Sequence, residues 1–141
     1  FGWRYDFDDA SFQPAEPIPD WLISLRDKAA ELAGDEIAHA LVARYDPGAG
    51  IGWHKDRSVF DRVVGVSLLS PAILRFRQRT PSGFTRFNLP VEPRSAYRLA
   101  AEARYDWEHR IVPGDSLRFS ITFRTMSGLG RQRAAAAQRI S

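Results

Sequence analysis

His54 and Asp56 stand two residues apart in Trp53-His54-Lys55-Asp56. On an extended strand that spacing sends both side chains to one face. An imidazole beside a carboxylate makes two members of a 2-His-1-carboxylate set. Such a set holds Fe(II) through three protein ligands and leaves the opposite coordination positions open. The chain has three histidines, and His109 is the one that follows the pair, so it is the natural candidate for the third ligand. Alone, a His-x-Asp tripeptide fits a solvated strand end as well as a metal site, and its context decides between them. His39 precedes an apolar strand, has no ligating neighbour in the sequence and reads as structural.

A second constellation lies further along. In Ser116-Leu117-Arg118-Phe119-Ser120-Ile121-Thr122-Phe123-Arg124 apolar and polar residues alternate strictly, as on a strand with one buried face. Arg118, Ser120 and Arg124 share the polar face, with the arginines roughly 20 Å apart at about 3.3 Å per residue. A guanidinium fork pairs a carboxylate bidentately and keeps its charge, so two of them suit a dicarboxylate. A solvated sheet face carrying an Arg118–Asp115 or Arg104–Asp106 ion pair accommodates the same residues.

Together, His54-x-Asp56, His109 and Arg118-x5-Arg124, preceded by Arg44-Tyr45-Asp46-Pro47-Gly48, resemble the AlkB family of Fe(II)/2-oxoglutarate-dependent dioxygenases. The likeness runs from about Ala38 to Thr125, with the motifs in the family's order. It implies a double-stranded β-helix with His54, Asp56 and His109 holding Fe(II). It further implies that 2-oxoglutarate is bound by Tyr45, by Arg118 at its far carboxylate and by Arg124 nearer the metal. Ser120 falls between the arginines where the family carries Asn, and Ala43 replaces another Asn before Tyr45. Each hydrogen bond so changed is worth about 0.5–1.5 kcal/mol net. Ser58 stands where the DNA-repair members carry an acidic residue against the methylated base, so base choice is open. The implied reaction is oxidative removal of an N-methyl group from a base in DNA or RNA, releasing formaldehyde, succinate and carbon dioxide. A protein side chain is an alternative substrate. A jelly-roll module that only holds a polyanion is the alternative from another class, and three intact ligands argue against it.

These residues need a scaffold, and 141 residues supply one domain's core. A hydrophobic fraction of 44% with 12% aromatics is globular rather than disordered. No apolar run reaches the roughly 18 residues of a membrane span, and no secretory signal pattern opens the chain. Absent cysteines exclude disulfides and thiolate zinc sites. A cytoplasmic monomer is the expectation, and a first residue other than Met points to a start inside a longer chain. Net charge is +3 with a pI of about 9.7, and Lys28 and Lys55 are the only lysines. Arginine is the preferred partner of phosphate and bases, which favours an anionic partner such as nucleic acid. A GC-rich genome yields the same composition.

Residues 1–19 show no periodicity and are read as a partial lid. Asp20 reads as an N-cap, Leu22, Leu25, Ala29 and Leu32 recur at helical spacing, and Gly34 is the stop, which predicts a helix over 21–33. Strands are predicted near 38–45, 51–54, 63–69, 72–78, 84–89, 95–100 and 116–124, separated by Pro/Gly turns. The pattern fits a sandwich or jelly roll. The resemblance selects the latter: a mainly β, double-stranded β-helix with one or two N-terminal helices outside. Residues 1–126 form the domain in this reading. The Ala- and Arg-rich 127–141 form a tail with helix propensity and no apolar face.

Overall fold

The computed structural model describes residues 1–140. Helix α1 (Asp20–Ala33) ends where the sequence says it must, at Gly34 in the left-handed conformation (φ 73°), whose N–H returns to the Ala30 carbonyl at 2.8 Å. Its start differs by one residue. Pro19 occupies the cap position with no side-chain hydrogen bond, and Asp20 is the first helical residue, where its charge complements the helix dipole. The buried stripe is Leu22, Ala29 and Ala33, with Leu25 partly covered, while Leu32 is 43% exposed. The helix axis turns its small residues to the sheet, and Leu32 lies beyond the edge of that stripe.

Ten strands follow the chain: β1 (Trp3–Tyr5), β2 (Phe12–Pro14), β3 (Ile37–Tyr45), β4 (Ile51–His54), β5 (Phe60–Leu68), β6 (Ala72–Thr80), β7 (Gly83–Val91), β8 (Ser95–Leu99), β9 (Glu108–Ile111) and β10 (Arg118–Met126). A short helix, α2 (Ala101–Tyr105), precedes β9, and α3 (Gly128–Ile140) follows β10. β1 and β2 form a hairpin, and the other strands form two four-stranded antiparallel sheets, ordered β3-β10-β5-β8 and β4-β9-β6-β7. This is the double-stranded β-helix expected from the sequence. Three segments given no element in the sequence reading are ordered: the amino-terminal hairpin, α2 and β9. β9 is four residues long and carries polar side chains, too short for alternation to register.

Covering decides the strand patterns. α1 packs on the outside of the first sheet against Ile37, Ala40, Val64, Ile121 and Phe123. The second cluster, Val63, Leu74, Phe76, Val91, Leu99 and Ile111, fills the space between the sheets. β5 therefore has both faces covered and reads as a nearly continuous apolar run, Val63-Val64-Gly65-Val66. Gly65 is required there. A Cβ on it would lie 2.1 Å from the ring of its cross-strand partner Tyr97, whose side chain crosses it into the interior.

A third cluster joins the ends of the chain: Phe12 of the hairpin, Val59 and Phe60 before and in β5, and Ala134 of α3. α3 approaches through small residues, and a Cβ on Gly130 would lie 2.1 Å from the Val59 carbonyl oxygen. Contact through Gly130 and Ala134 leaves no large apolar stripe for a sequence to display.

Candidate active site

His54 closes β4 and His109 lies directly across from it on β9, so the two imidazoles leave the same face of one sheet, ring centroids 4.3 Å apart. Asp56 follows β4 in the connection to β5, and its carboxylate turns back beneath them. The Asp56 Oδ1 atom lies 3.7 Å from His54 Nε2 and 3.8 Å from His109 Nε2. Ligating atoms of all three lie within 4.8 Å of one another. These separations are too long for hydrogen bonds and suit donors converging on a shared ion. Residues two, and fifty-three further, apart in the chain are thus brought together by the β4–β9 pairing.

His109 and Asp56 are in the protonation states that ligation needs. His54 Nδ1 lies 2.8 Å from the Gly52 carbonyl oxygen. A carbonyl only accepts, so Nδ1 donates to it and Nε2 is the ring nitrogen left facing Asp56. Burial pushes the His109 imidazole down to about 4, helped by the neighbouring His54, so it is neutral near pH 7. Burial alone would raise the Asp56 carboxyl. The Arg124 guanidinium overrides that by charge and by hydrogen bond and holds it below the usual carboxylate value.

Arg124 comes from β10 in the other sheet. Its Nε donates to Asp56 Oδ2 at 2.5 Å, which leaves Oδ1 to face the histidines. A register shift follows Arg124 in both of its strand pairings, the kind of bulge that re-aims a side chain beside a site. Six residues earlier, Arg118 is 4% exposed and donates from Nε to Ser67 Oγ at 3.1 Å. Its guanidinium carbon lies 5.1 Å from the centre of the Tyr45 ring, the residue paired with it across the sheet. Both terminal nitrogens, Nη1 and Nη2, are buried with no hydrogen-bond partner among the described residues. Neither surface ion pair weighed from the sequence forms. Arg118 is directed inward, and Arg104 is buried, donating from Nη2 to the Arg57 and Phe60 carbonyls at 2.8 and 2.6 Å. Arg104 thereby fixes the turn that carries Asp56, a role its sequence neighbours do not signal.

Ser120 is buried on the same inward face as Arg118, opposite Ser67. Tyr97, not marked in the sequence, completes the chamber. Burial pushes its hydroxyl up to about 12, so it remains a donor. The alternation Ser95, Tyr97, Leu99 is the signal that could have found it. A buried guanidinium whose outer nitrogens lack acceptors is costly, and a carboxylate supplies those acceptors. Two imidazoles with one carboxylate form an N,N,O set suited to Fe(II). The residues therefore fit both groups.

Above the metal-ligand triad lies an open cleft of about 920 Å³ lined by Tyr5, Phe7, His39, Lys55, Arg57 and Arg124 among others. The connection between β1 and β2 overhangs it. Phe7, 69% exposed, is braced by the Arg57 guanidinium 4.4 Å from its ring centre and by Tyr5 edge-on at 5.4 Å. Among Trp3, Tyr5, Trp53 and Trp107, Tyr5 alone reaches this cleft. Trp3 packs on Phe12, Trp107 joins the core, and Trp53 faces outward under Arg77. His39 donates from Nδ1 to the Trp3 carbonyl oxygen at 2.7 Å and lies against Phe60.

An antiparallel jelly roll with two histidines and an aspartate at one mouth, and a buried arginine awaiting an acceptor behind them, defines a non-haem iron oxygenase that uses a keto acid. Residues 2–124 match the model of the 2OG-Fe(II) oxygenase superfamily. The chain belongs to that superfamily: it is a 2-oxoglutarate-dependent dioxygenase, and its cofactors are Fe(II) and 2-oxoglutarate. An uncharacterized protein of Acanthamoeba polyphaga mimivirus is 31% identical over 146 residues, covering 86% of this chain and 68% of that protein. Similar solved structures include a predicted oxalate decarboxylase from Thermotoga maritima, at 12% identity with a TM-score of 0.46, covering 72% of this chain and 74% of the other. Another is the capsular polysaccharide assembling protein CapF from Staphylococcus aureus, at 16% identity with a TM-score of 0.46, covering 63% of this chain and 23% of that one. No helix among the described residues is long and apolar enough to cross a membrane.

Proposed function

We propose that this dioxygenase is of the AlkB type and removes N-methyl groups from bases of DNA or RNA, as a cytoplasmic monomer. The observation that carries the reading is the cleft over the His54–Asp56–His109 cluster. It joins two aromatic side chains, Tyr5 and Phe7, to the cations Arg4, Lys55 and Arg57. An unstacked base is held by aromatic faces, and its flanking phosphates by cations.

In this reading His54, Asp56 and His109 hold Fe(II). Arg118 takes the far carboxylate of 2-oxoglutarate on Nη1 and Nη2, its position fixed by Ser67 and Tyr45. Ser120 and Tyr97 line the chamber beside it. Arg124 holds Asp56 in the ligating orientation. Bound there, the iron and the keto acid would activate dioxygen, the oxidant. One oxygen atom would end in succinate as carbon dioxide is lost, and the other in a hydroxymethyl group that breaks down to the unmethylated base and formaldehyde. Tyr5 and Phe7 stack on the base, and the overhanging hairpin limits water at the mouth.

The test is formaldehyde release by iron-loaded protein with 2-oxoglutarate, using oligonucleotides that carry single N-methylated bases. Release that needs His54, Asp56 and His109 supports the reading. No release from any methylated oligonucleotide, together with release from methylated peptides, overturns it in favour of a protein substrate.

A further inference from the structure

Trp53, the residue before His54, points away from the metal-ligand side onto the outer face of the β4-β9-β6-β7 sheet. That face is unusual in charge. Arg75, Arg77 and Arg79 of β6 alternate onto it, opposite Asn88, Arg86 and Phe84 of β7, with Arg110 and Glu108 on β9. Arg75 is directly paired with Arg110, and Arg77 with Arg86. Like charges directly opposite one another destabilise a sheet. Glu108 offsets Arg77 through a 2.7 Å contact. Arg75, Arg79, Arg86 and Arg110 have no acidic partner among the described residues, and Arg110 Nε is buried without an acceptor.

The rings hold this charge in place. Arg77 lies 4.4 Å from the Trp53 ring centre and 4.5 Å from that of Phe84. Arg79, at 4.9 Å, and Arg86, at 5.7 Å, also lie over Phe84, and Arg110 is 5.7 Å from Trp53. Guanidiniums fixed on aromatic faces keep their outward N–H groups available and lose less freedom when they meet an anion. The wall is also placed to matter. Phe76 and His109 occupy its inner side at the same level, ring centroids 5.9 Å apart, and the β6–β7 hairpin runs on past that level.

We infer that the outer face of the β6–β7 hairpin, from Trp53 across Arg77, Arg79, Phe84 and Arg86, binds the phosphate backbone of single-stranded nucleic acid on the way to the cleft. The ligand class follows from the self-repelling cationic row interleaved with aromatics, the combination that tracks a single strand without reading its sequence. The inference takes its polymer from the proposed function. Its test needs no turnover.

The measurement is fluorescence anisotropy of labelled, unmodified oligothymidylate and oligouridylate across a salt series, with wild-type protein and the variant R79E/R86E. Both positions are exposed and lie outside the residues assigned to iron and 2-oxoglutarate. The variant is expected to bind about tenfold more weakly. Its slope of log affinity against log salt should be shallower by about 1.4, two contacts at about 0.7 each. Its 2-oxoglutarate-dependent thermal shift should match the wild type, which shows that the fold and the site survive. Equal affinity and slope in the two proteins overturn the inference. So does polyglutamate binding as tightly as the oligonucleotides with the same loss in the variant, which assigns the face to an acidic protein. Binding lost in R79E/R86E while methylated bases prove not to be substrates keeps the surface and discards the proposed reaction.

Discussion

Arg124 and Asp56 are sixty-eight residues apart and meet across the barrel mouth, Nε to Oδ2, so that one carboxylate oxygen is occupied and the other is left facing His54 and His109. The sequence reading gave Arg124 to the cosubstrate. The geometry gives it a further task, setting which oxygen of the ligand is presented and in what orientation. The register shift after Arg124 makes this reach compatible with a paired strand.

Arg124→Ala should therefore weaken metal binding without touching a ligand. Loss of a hydrogen-bond partner that orients a ligand commonly costs 10- to 100-fold in metal affinity, and that range is expected here. Anaerobic Fe(II) titration followed by tryptophan fluorescence measures it. An unchanged affinity would remove Arg124 from the metal site.

Arg118 should behave in the opposite way in the apoprotein. Its terminal nitrogens are buried without acceptors, so replacing it by an apolar side chain of similar length relieves a penalty. Arg118→Met is expected to equal or exceed the wild type in denaturant midpoint when 2-oxoglutarate is absent. The wild type should gain about 2.7 kcal/mol at a hundredfold excess of 2-oxoglutarate over Kd, and the variant nothing. Arg118→Lys keeps charge without the fork and should recover only part of that gain.

Much of this was legible in the chain. Residues with fixed chemistry and local spacing, His54-x-Asp56 and the alternation through β10, announced themselves, as did Gly34 ending α1. What stayed hidden depends on partners distant in sequence. Arg104 looks like a surface charge until the Arg57 and Phe60 carbonyls are brought to it. Tyr97 reads as one aromatic among several until Gly65 opens a place for it. β1, β2 and β9 are three or four residues long, so pairing rather than periodicity creates them. α3 is seated by Gly130 and Ala134, residues whose smallness is the contact.

Gly65→Ala tests the packing of the chamber. The added Cβ would lie 2.1 Å from Tyr97 Cζ and 2.3 Å from its hydroxyl, on an inner strand that cannot shift freely. A cost of about 1–3 kcal/mol is expected, typical of overpacking. Because the clash is with one side chain, Tyr97→Ala in the Gly65→Ala background should recover part of it, and a double-mutant cycle from urea unfolding reads the coupling. Additive effects would place the strain elsewhere.

His39 predicts how stability responds to pH. Burial between Trp3 and Phe60 pushes its imidazole down to about 4; Arg124 and the amino-terminal ammonium act in the same direction, against the Trp3 carbonyl and Asp56. In the unfolded chain the same group titrates near 6.5. Between those values the unfolded state binds a proton that the folded state refuses, so stability rises with pH. His39 thus costs nothing above about pH 6.5 and progressively destabilises the fold as pH falls towards 4, at up to about 1.4 kcal/mol per unit. His109 has the same sign in metal-free protein. His39→Gln retains a donor for the Trp3 carbonyl but has no titrating group. Urea unfolding of metal-free wild type and His39→Gln at pH 7.5 and pH 5 should show the smaller loss in the variant, by about 1–2 kcal/mol on the same slope. Parallel losses in the two proteins would mean that the native imidazole takes up its proton as readily as the unfolded one.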